Sequence, residues 1–149
     1  MMQAVAALGR IQVRNFERLS GRRRQIGEFI RQHIAGLPVK LPPDRPGFER
    51  SYYAMPFLLP PELAAHCDEI VDEFRALNVP FTKGHRKLLH DVDYIRRLAH
   101  NSSCPVAESV HPRIFYFDPL PCYDDEQIDG VVGALRSVLG RYRHFAAGV

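Results

Sequence analysis

No apolar run in this sequence approaches the ~20 residues that a membrane-spanning helix needs, so no transmembrane segment is expected. Cysteine is scarce. Cys67, Cys104 and Cys122 are odd in number and lack CxxC spacing. That argues against a disulfide framework and a zinc ribbon, and it points to a reducing cytoplasm. Lysine is scarce too, with Lys40, Lys83 and Lys87 the only three among twenty basic residues. Chemistry that needs an activated amine therefore has three candidates. The opening MMQAVAALGRIQV has no basic region ahead of its apolar residues and no small-residue cleavage site, so no export signal is expected. Neither GxGxxG nor GxxxxGK[ST] occurs, which removes the usual glycine-rich phosphate cradles.

What is present fits one domain over residues 1–149. Hydrophobic residues make up 46% and charged residues 25% of the 149, ordinary for a soluble fold with a modest core. The net charge of +3 and pI near 8.9 raise the question of nucleic acid. Apart from Arg22, Arg23 and Arg24, however, the basic residues are interspersed with acids rather than gathered on a stripe, so nucleic acid is not the expected partner.

Along the chain, Val5, Leu8, Ile11, Phe16, Leu19, Ile26, Phe29 and Ile30 recur near helical spacing. Residues 1–36 are therefore expected to form a long amphipathic helix, with Gly21 the point where a break would fall. Its small apolar start suits packing against another element, including one supplied by a partner. Residues 37–50 hold four prolines between Pro38 and Pro46 and read as an extended connector. Residues 51–143 then read as a sheet and helix layer. Tyr52 to Leu58 is the first strand, placed at an edge or bulge by Pro56. A proline-opened helix follows with Leu63, Ile70, Val71 and Phe74 inward, and VPFTKGHRK reads as a loop. LLHDVDYIRRLAH is expected to be short and helical, followed by a helix from Pro105 and a strand from Arg113 to Phe117. Asp124 with Gln127 forms a capping box for a closing helix. The expected class is α+β: a long N-terminal helix and a small, mainly antiparallel sheet covered by helices.

Several groups are weighed for chemistry. His85, His90, Asp91, Asp93, His100 and Cys104 are the densest set of potential ligands. Without a helical HxxxH or a thiolate pair, a solvated polar loop is the preferred reading over a metal site. Cys104 with His111 is a conceivable nucleophile and base, yet nothing in the sequence orients the imidazole. Arg22 to Arg24 read as a solvated helix face, with phosphate docking the sharper alternative. Phe115, Tyr116 and Phe117 read as strand core, and Cys67 as a small core residue.

Three segments in order resemble the DegT/DnrJ/StrS family of pyridoxal-phosphate (PLP) sugar and aminocyclitol aminotransferases. MMQAVAALGRIQV is similar to the family's RM-S-x-x-Q-A-A-L-G-x-x-Q-L. SYYAMPFLL resembles its first small-domain strand. CPVAESVHPRIFYFDPLPCYDDEQIDGVVGALRSVL resembles its P-x-A-E … L-P-L … L-T-D-E-E-x-D-x-V-x-E-A-L-R ending. Departures are Val5 in place of glutamine, and Phe117, Asp118 and Pro119 in place of L-P-L. In the family's H-Y-P-x-P-L-H loop, only His90 matches clearly within GHRKLLH.

The resemblance implies the C-terminal small domain of a fold-type I aminotransferase, without the large cofactor domain. PLP chemistry needs a Schiff-base lysine, a carboxylate at the pyridine nitrogen and a phosphate cradle. None of the three lysines stands in the family's S-x-x-K context, so no catalytic residue and no cofactor are expected in this chain alone. The implied role is a small-domain subunit, or complementary half, of a split aminotransferase. A larger homologous subunit, or else a homo-oligomer, would be its partner. PLP would be bound in that complex, and a keto-sugar or keto-cyclitol would be the substrate. Lys83, His85, Arg86 and His90 are the substrate-side candidates that the resemblance implies. The alternatives are a non-enzymatic binding or scaffold protein of the same descent, or a truncated aminotransferase, since Met1 falls inside a family motif.

Overall fold

The computed structural model describes residues 3–85, 87–98 and 103–148. Helix α1 runs from Gln3–His33 without interruption. A Cβ at Gly21 would meet nothing within 4 Å. No packing conflict bends the helix there, and the ~1 kcal/mol propensity cost of glycine is outweighed by burial of Ile26 and Ile30 further along. Gly36, with φ of +78°, turns the chain just beyond the helix.

The connector is extended, and it is tied down from two sides. The Lys40 amide and carbonyl exchange hydrogen bonds with Leu58 at 2.8 and 2.9 Å. Prolines cannot donate, but their carbonyls still accept: Arg31 and Arg50 both donate to the Pro42 carbonyl and both meet the Asp44 carboxylate.

The first strand is shorter than the sequence predicts. β1 is Met55–Leu58, because Tyr52 lies in the left-handed region at φ 48° and turns the chain before pairing can begin. The proline-opened helix starts as a tight turn, Pro61–His66, and continues as α2, Cys67–Ala76. The loop expected next contains a two-residue strand, β2, Thr82–Lys83. The short helical stretch is a turn at Leu89–Asp91 followed by α3, Asp93–Leu98. Then come α4, Pro105–Val110, β3, Ile114–Phe117, and α5, Asp125–Gly140.

The sheet is fully antiparallel in the order β1-β3-β2. Met55 faces Phe117 and Leu58 faces Ile114, and Pro56 stands on the edge strand as its missing donor requires. Alternation puts Phe57, Phe115 and Phe117 fully inward. Phe57 stacks on Phe115 at 5.2 Å, and Phe81 meets both edge-on at 5.5 Å. Helix α2 closes this face with Ile70, Val71 and Phe74, and α5 packs against α2 and α1 through Ile128, Leu135 and Leu139. The capping box forms as predicted: Asp124 Oδ1 accepts from the Gln127 amide at 2.8 Å, and Gln127 Oε1 accepts from the Asp124 amide at 2.9 Å. The fold is thus the expected α+β small-domain type.

Candidate functional site

Three of the four residues singled out by sequence, Lys83, His85 and His90, lie in β2 or in the stretch that follows it. Lys83 is held by its strand pairing with Phe115, and its Nζ lies 2.6 Å from Asp68 Oδ1 in the first turn of α2. Gly84 continues the pairing by donating to the Ile114 carbonyl at 3.0 Å. A Cβ there would press on the Ile114 side chain at 2.8 Å, so this close approach suits glycine. The His85 ring lies 6.2 Å from that of Tyr116, and its carbonyl accepts from His111 Nε2. His90 Nε2 is 3.3 Å from Glu108 Oε1 on α4, with the imidazole largely covered. Glu108 also accepts from the Cys104 amide at 2.8 Å. Arg86 lies outside the described residues.

Each described candidate therefore has its own partner: α2 for Lys83, the turn before β3 for His85 and α4 for His90. The contacts brace the segment against three elements. Neither of the two clefts described below is lined by Lys83, His85 or His90. The Lys83 to Asp68 pair is partly exposed and contributes little to stability.

The arginine run is a half-buried face whose guanidinium groups have partners outside the helix. Arg22 donates to the Tyr123 carbonyl at 2.9 Å and meets Asp125 Oδ1 at 2.7 Å. Arg24 pairs with Glu49, and the Arg23 guanidinium sits 5.7 Å from the centre of the Tyr53 ring. The run fastens α1 to three places outside the helix. These partners are distant in sequence, so spacing alone gave no sign of them.

Among the described residues, two clefts stand out by size. One of about 450 Å³ lies between Arg31, Arg50, Tyr52, Met55, Pro56 and Tyr116. Here Arg50 beside Asp44 holds that carboxyl below its usual value, and burial pushes the Tyr52 phenol up, helped by its hydrogen bond to Glu28. The other, of about 1050 Å³, is a groove between the first half of α1 and the turn at Leu120 to Cys122.

No lysine lines either cleft. Lys83 is paired with Asp68, and the backbone of Lys40 is spent on Leu58 with its side chain exposed. Lys87 is exposed as well, so among the described residues a pyridoxal group finds no buried, unpaired amine, and these lysines do not fit it. Among the described residues no three His, Cys, Asp or Glu gather as a metal site; His100 lies outside them. No hydrogen bond joins Cys104 to His111, whose Nε2 is engaged by the His85 carbonyl. Burial raises the Cys67 thiol, the opposite of an activated nucleophile.

The model of the DegT/DnrJ/EryC1/StrS aminotransferase family matches residues 1–136. Comparison with curated proteins gives no match. Among solved structures, the chain is similar to the aminotransferase TlmJ from Streptoalloteichus hindustanus, at 24% identity and a TM-score of 0.81 over 92% of this chain and 36% of that one. It is similar to the sugar aminotransferase CalS13 from Micromonospora echinospora, at 13% and 0.72 over 84% and 32%. It is also similar to S. venezuelae DesV, solved with a ketimine intermediate, at 20% and 0.76 over 89% and 35%. The chain spans about a third of the length of these relatives.

Proposed function

The chain belongs to the DegT/DnrJ/EryC1/StrS aminotransferase family, and from that premise we propose that it is the small-domain part of a composite aminotransferase. The carrying observation is a mismatch of extents. The likeness takes in nearly all of this chain but only about a third of its relatives, and the chain's own lysines do not fit the cofactor.

In this reading a larger family subunit holds PLP, the group that accepts and returns the amino function. The present chain contributes the loop from Lys83 to His90 to the substrate side. Lys83, His85, Arg86 and His90 would engage the acidic or hydroxylated groups of a keto-sugar or keto-cyclitol, with glutamate or glutamine as amino donor. Lys83 supplies a mobile charge, and the two imidazoles supply hydrogen bonds. The chain alone carries out no amino transfer. The unpaired thiols of Cys67, Cys104 and Cys122 suit a cytoplasmic setting.

The test is affinity capture of the tagged chain from its native host. Co-purified proteins are identified by mass, bound PLP is recorded by its absorbance, and transfer is assayed for the chain, the partner and the pair. A larger cofactor-bearing subunit whose rate rises on adding this chain is the expected result. Amino transfer by the chain alone, or a partner rate indifferent to it, would overturn the reading; the second outcome favours the scaffold alternative.

A further inference from the structure

We propose that the cleft enclosed by the end of α1, the proline connector and the sheet is a binding site for a small aromatic carboxylate, whose charge Arg31 and Arg50 receive. The proposal concerns a ligand of this chain itself and goes beyond the composite-enzyme reading.

The cleft is walled by parts distant in sequence. Arg31 comes from the last turns of α1, Leu41 and Pro42 from the connector, Arg50 and Tyr53 from the approach to β1, and Tyr116 from β3. Its volume of about 450 Å³ is that of a small-molecule site rather than of a flat docking face. A strained turn shapes one wall. Tyr52 holds a φ of 48°, and Arg50 and Tyr53, on either side of it, both line the cleft. Such conformations cost energy, and they collect where a chain is bent to hold a ligand.

Two cations stand in that wall. The Arg31 and Arg50 side chains are only 22% and 25% exposed. One carboxylate already spans them: Asp44 Oδ1 accepts from Arg50 Nε at 2.8 Å, and Asp44 Oδ2 accepts from Arg31 Nη2 at 3.2 Å. The two guanidinium groups are therefore spaced for a single carboxylate, the group that their planar forks match. Asp44 engages them without itself lining the cleft.

Donors and charge are left over. Each guanidinium carries five N–H groups. The Pro42 and Pro43 carbonyls and Asp44 engage Nη1 and Nη2 of Arg31, and Nε and Nη2 of Arg50. Arg31 Nε and Arg50 Nη1 meet no acceptor among the described residues. Asp44 offsets one of the two cations. Glu28 is taken up by the Tyr52 hydroxyl and Glu49 by Arg24, while Arg23 beside the Tyr53 ring adds positive charge. An anion is what this field attracts.

The rest of the lining selects among anions. Leu41, Met55 and Pro56 are apolar, and Tyr53 and Tyr116 bring rings. Such walls favour a flat hydrocarbon body and disfavour a fully hydrated ion such as phosphate. A carboxylate offered by another stretch of polypeptide would bring the charge without the ring.

Heteronuclear NMR titration of the chain with 3-phenylpropionate tests this. Signals of Met55 and Tyr116 should shift and saturate, with a Kd in the millimolar range usual for a fragment of this size. 3-Phenylpropan-1-ol, which lacks the charge, and acetate, which lacks the ring, should each bind about tenfold more weakly or worse. Tyr53→Ser, at a ring that is 77% exposed, should weaken 3-phenylpropionate about fivefold with the fold intact. Asp44→Asn should tighten it about threefold, because both arginines lose a competing charge, whereas a merely structural clamp would loosen and bind less. Absence of saturable shifts, shifts confined to the groove along α1, tighter binding of inorganic phosphate, or weaker binding in Asp44→Asn would overturn the proposal. So would acetate binding as tightly as 3-phenylpropionate, which would assign the arginines to a protein carboxylate instead. Neither PLP nor the larger subunit enters any of these readouts, so their failure and that of the composite-enzyme reading are separately visible.

Discussion

Gly27 and Tyr52 share one space: the phenol ring of Tyr52 lies where a Cβ on residue 27 would stand. The contact packs the left-handed turn before β1 against α1, and the Tyr52 hydroxyl adds a hydrogen bond to Glu28.

Gly27→Ala should therefore destabilise the domain, because the overpacking cost of about 1–3 kcal/mol exceeds the gain in helix propensity of up to about 1 kcal/mol. Gly133→Ala, in α5 with nothing within 4 Å of the new methyl, should stabilise by about 0.5–1 kcal/mol. Urea midpoints of the two variants should move in opposite directions.

Alkaline pH should weaken the fold. Burial, then the hydrogen bond and charge of Glu28, hold the Tyr52 phenol above its ordinary value of about 10. A raised pKa keeps the folded phenol protonated while the unfolded one ionises. This stabilisation is complete below pH ~10 and is lost as pH rises further. Burial acts in the same direction on Cys67 and Tyr123. Between pH 9 and 11, about the range of these groups, the urea midpoint should fall, and less steeply in Tyr52→Phe.

Asp124→Ala removes the side-chain acceptor for the Gln127 amide and should cost about 1 kcal/mol. Because α5 carries Leu135 and Leu139 into the core, the loss should appear as a lower midpoint for the whole domain rather than as local fraying.

Lys83→Met and His90→Ala should lower kcat/KM of the composite enzyme about tenfold or more if these side chains meet substrate. In the Lys83 variant the free chain should change by less than about 1 kcal/mol, since the Lys83 to Asp68 pair is partly exposed and screened. Wild-type kinetics in both variants would remove these residues from the substrate side.

Much of the fold is legible in the sequence because its signals are local. The Asp124 and Gln127 box, the proline-opened turn that leads into α2 and the alternation of Phe115 and Phe117 each need only a few adjacent residues. What escaped depends on distant partners. Thr82 and Lys83 form a strand only because β3 offers a free side, and two residues carry no period of their own. Tyr52 takes a left-handed turn because Gly27, twenty-five positions earlier, leaves room for its ring. Arg22 is a fastener because Tyr123 and Asp125 arrive from the other end of the chain. The candidate site shows the same limit: a motif matched His90, yet its tie to Glu108 belongs to the tertiary fold.

The sheet also limits how this molecule can join another. Its β1 margin carries Pro56 and is occupied by Lys40, and its β2 margin is two residues long. Neither border offers the run of free amides and carbonyls on which an incoming strand could zip. Recruitment has to proceed by helix faces and loops, so a peptide mimic of a strand should be a poor competitor for any assembly built on this domain, and a stapled helix a good one.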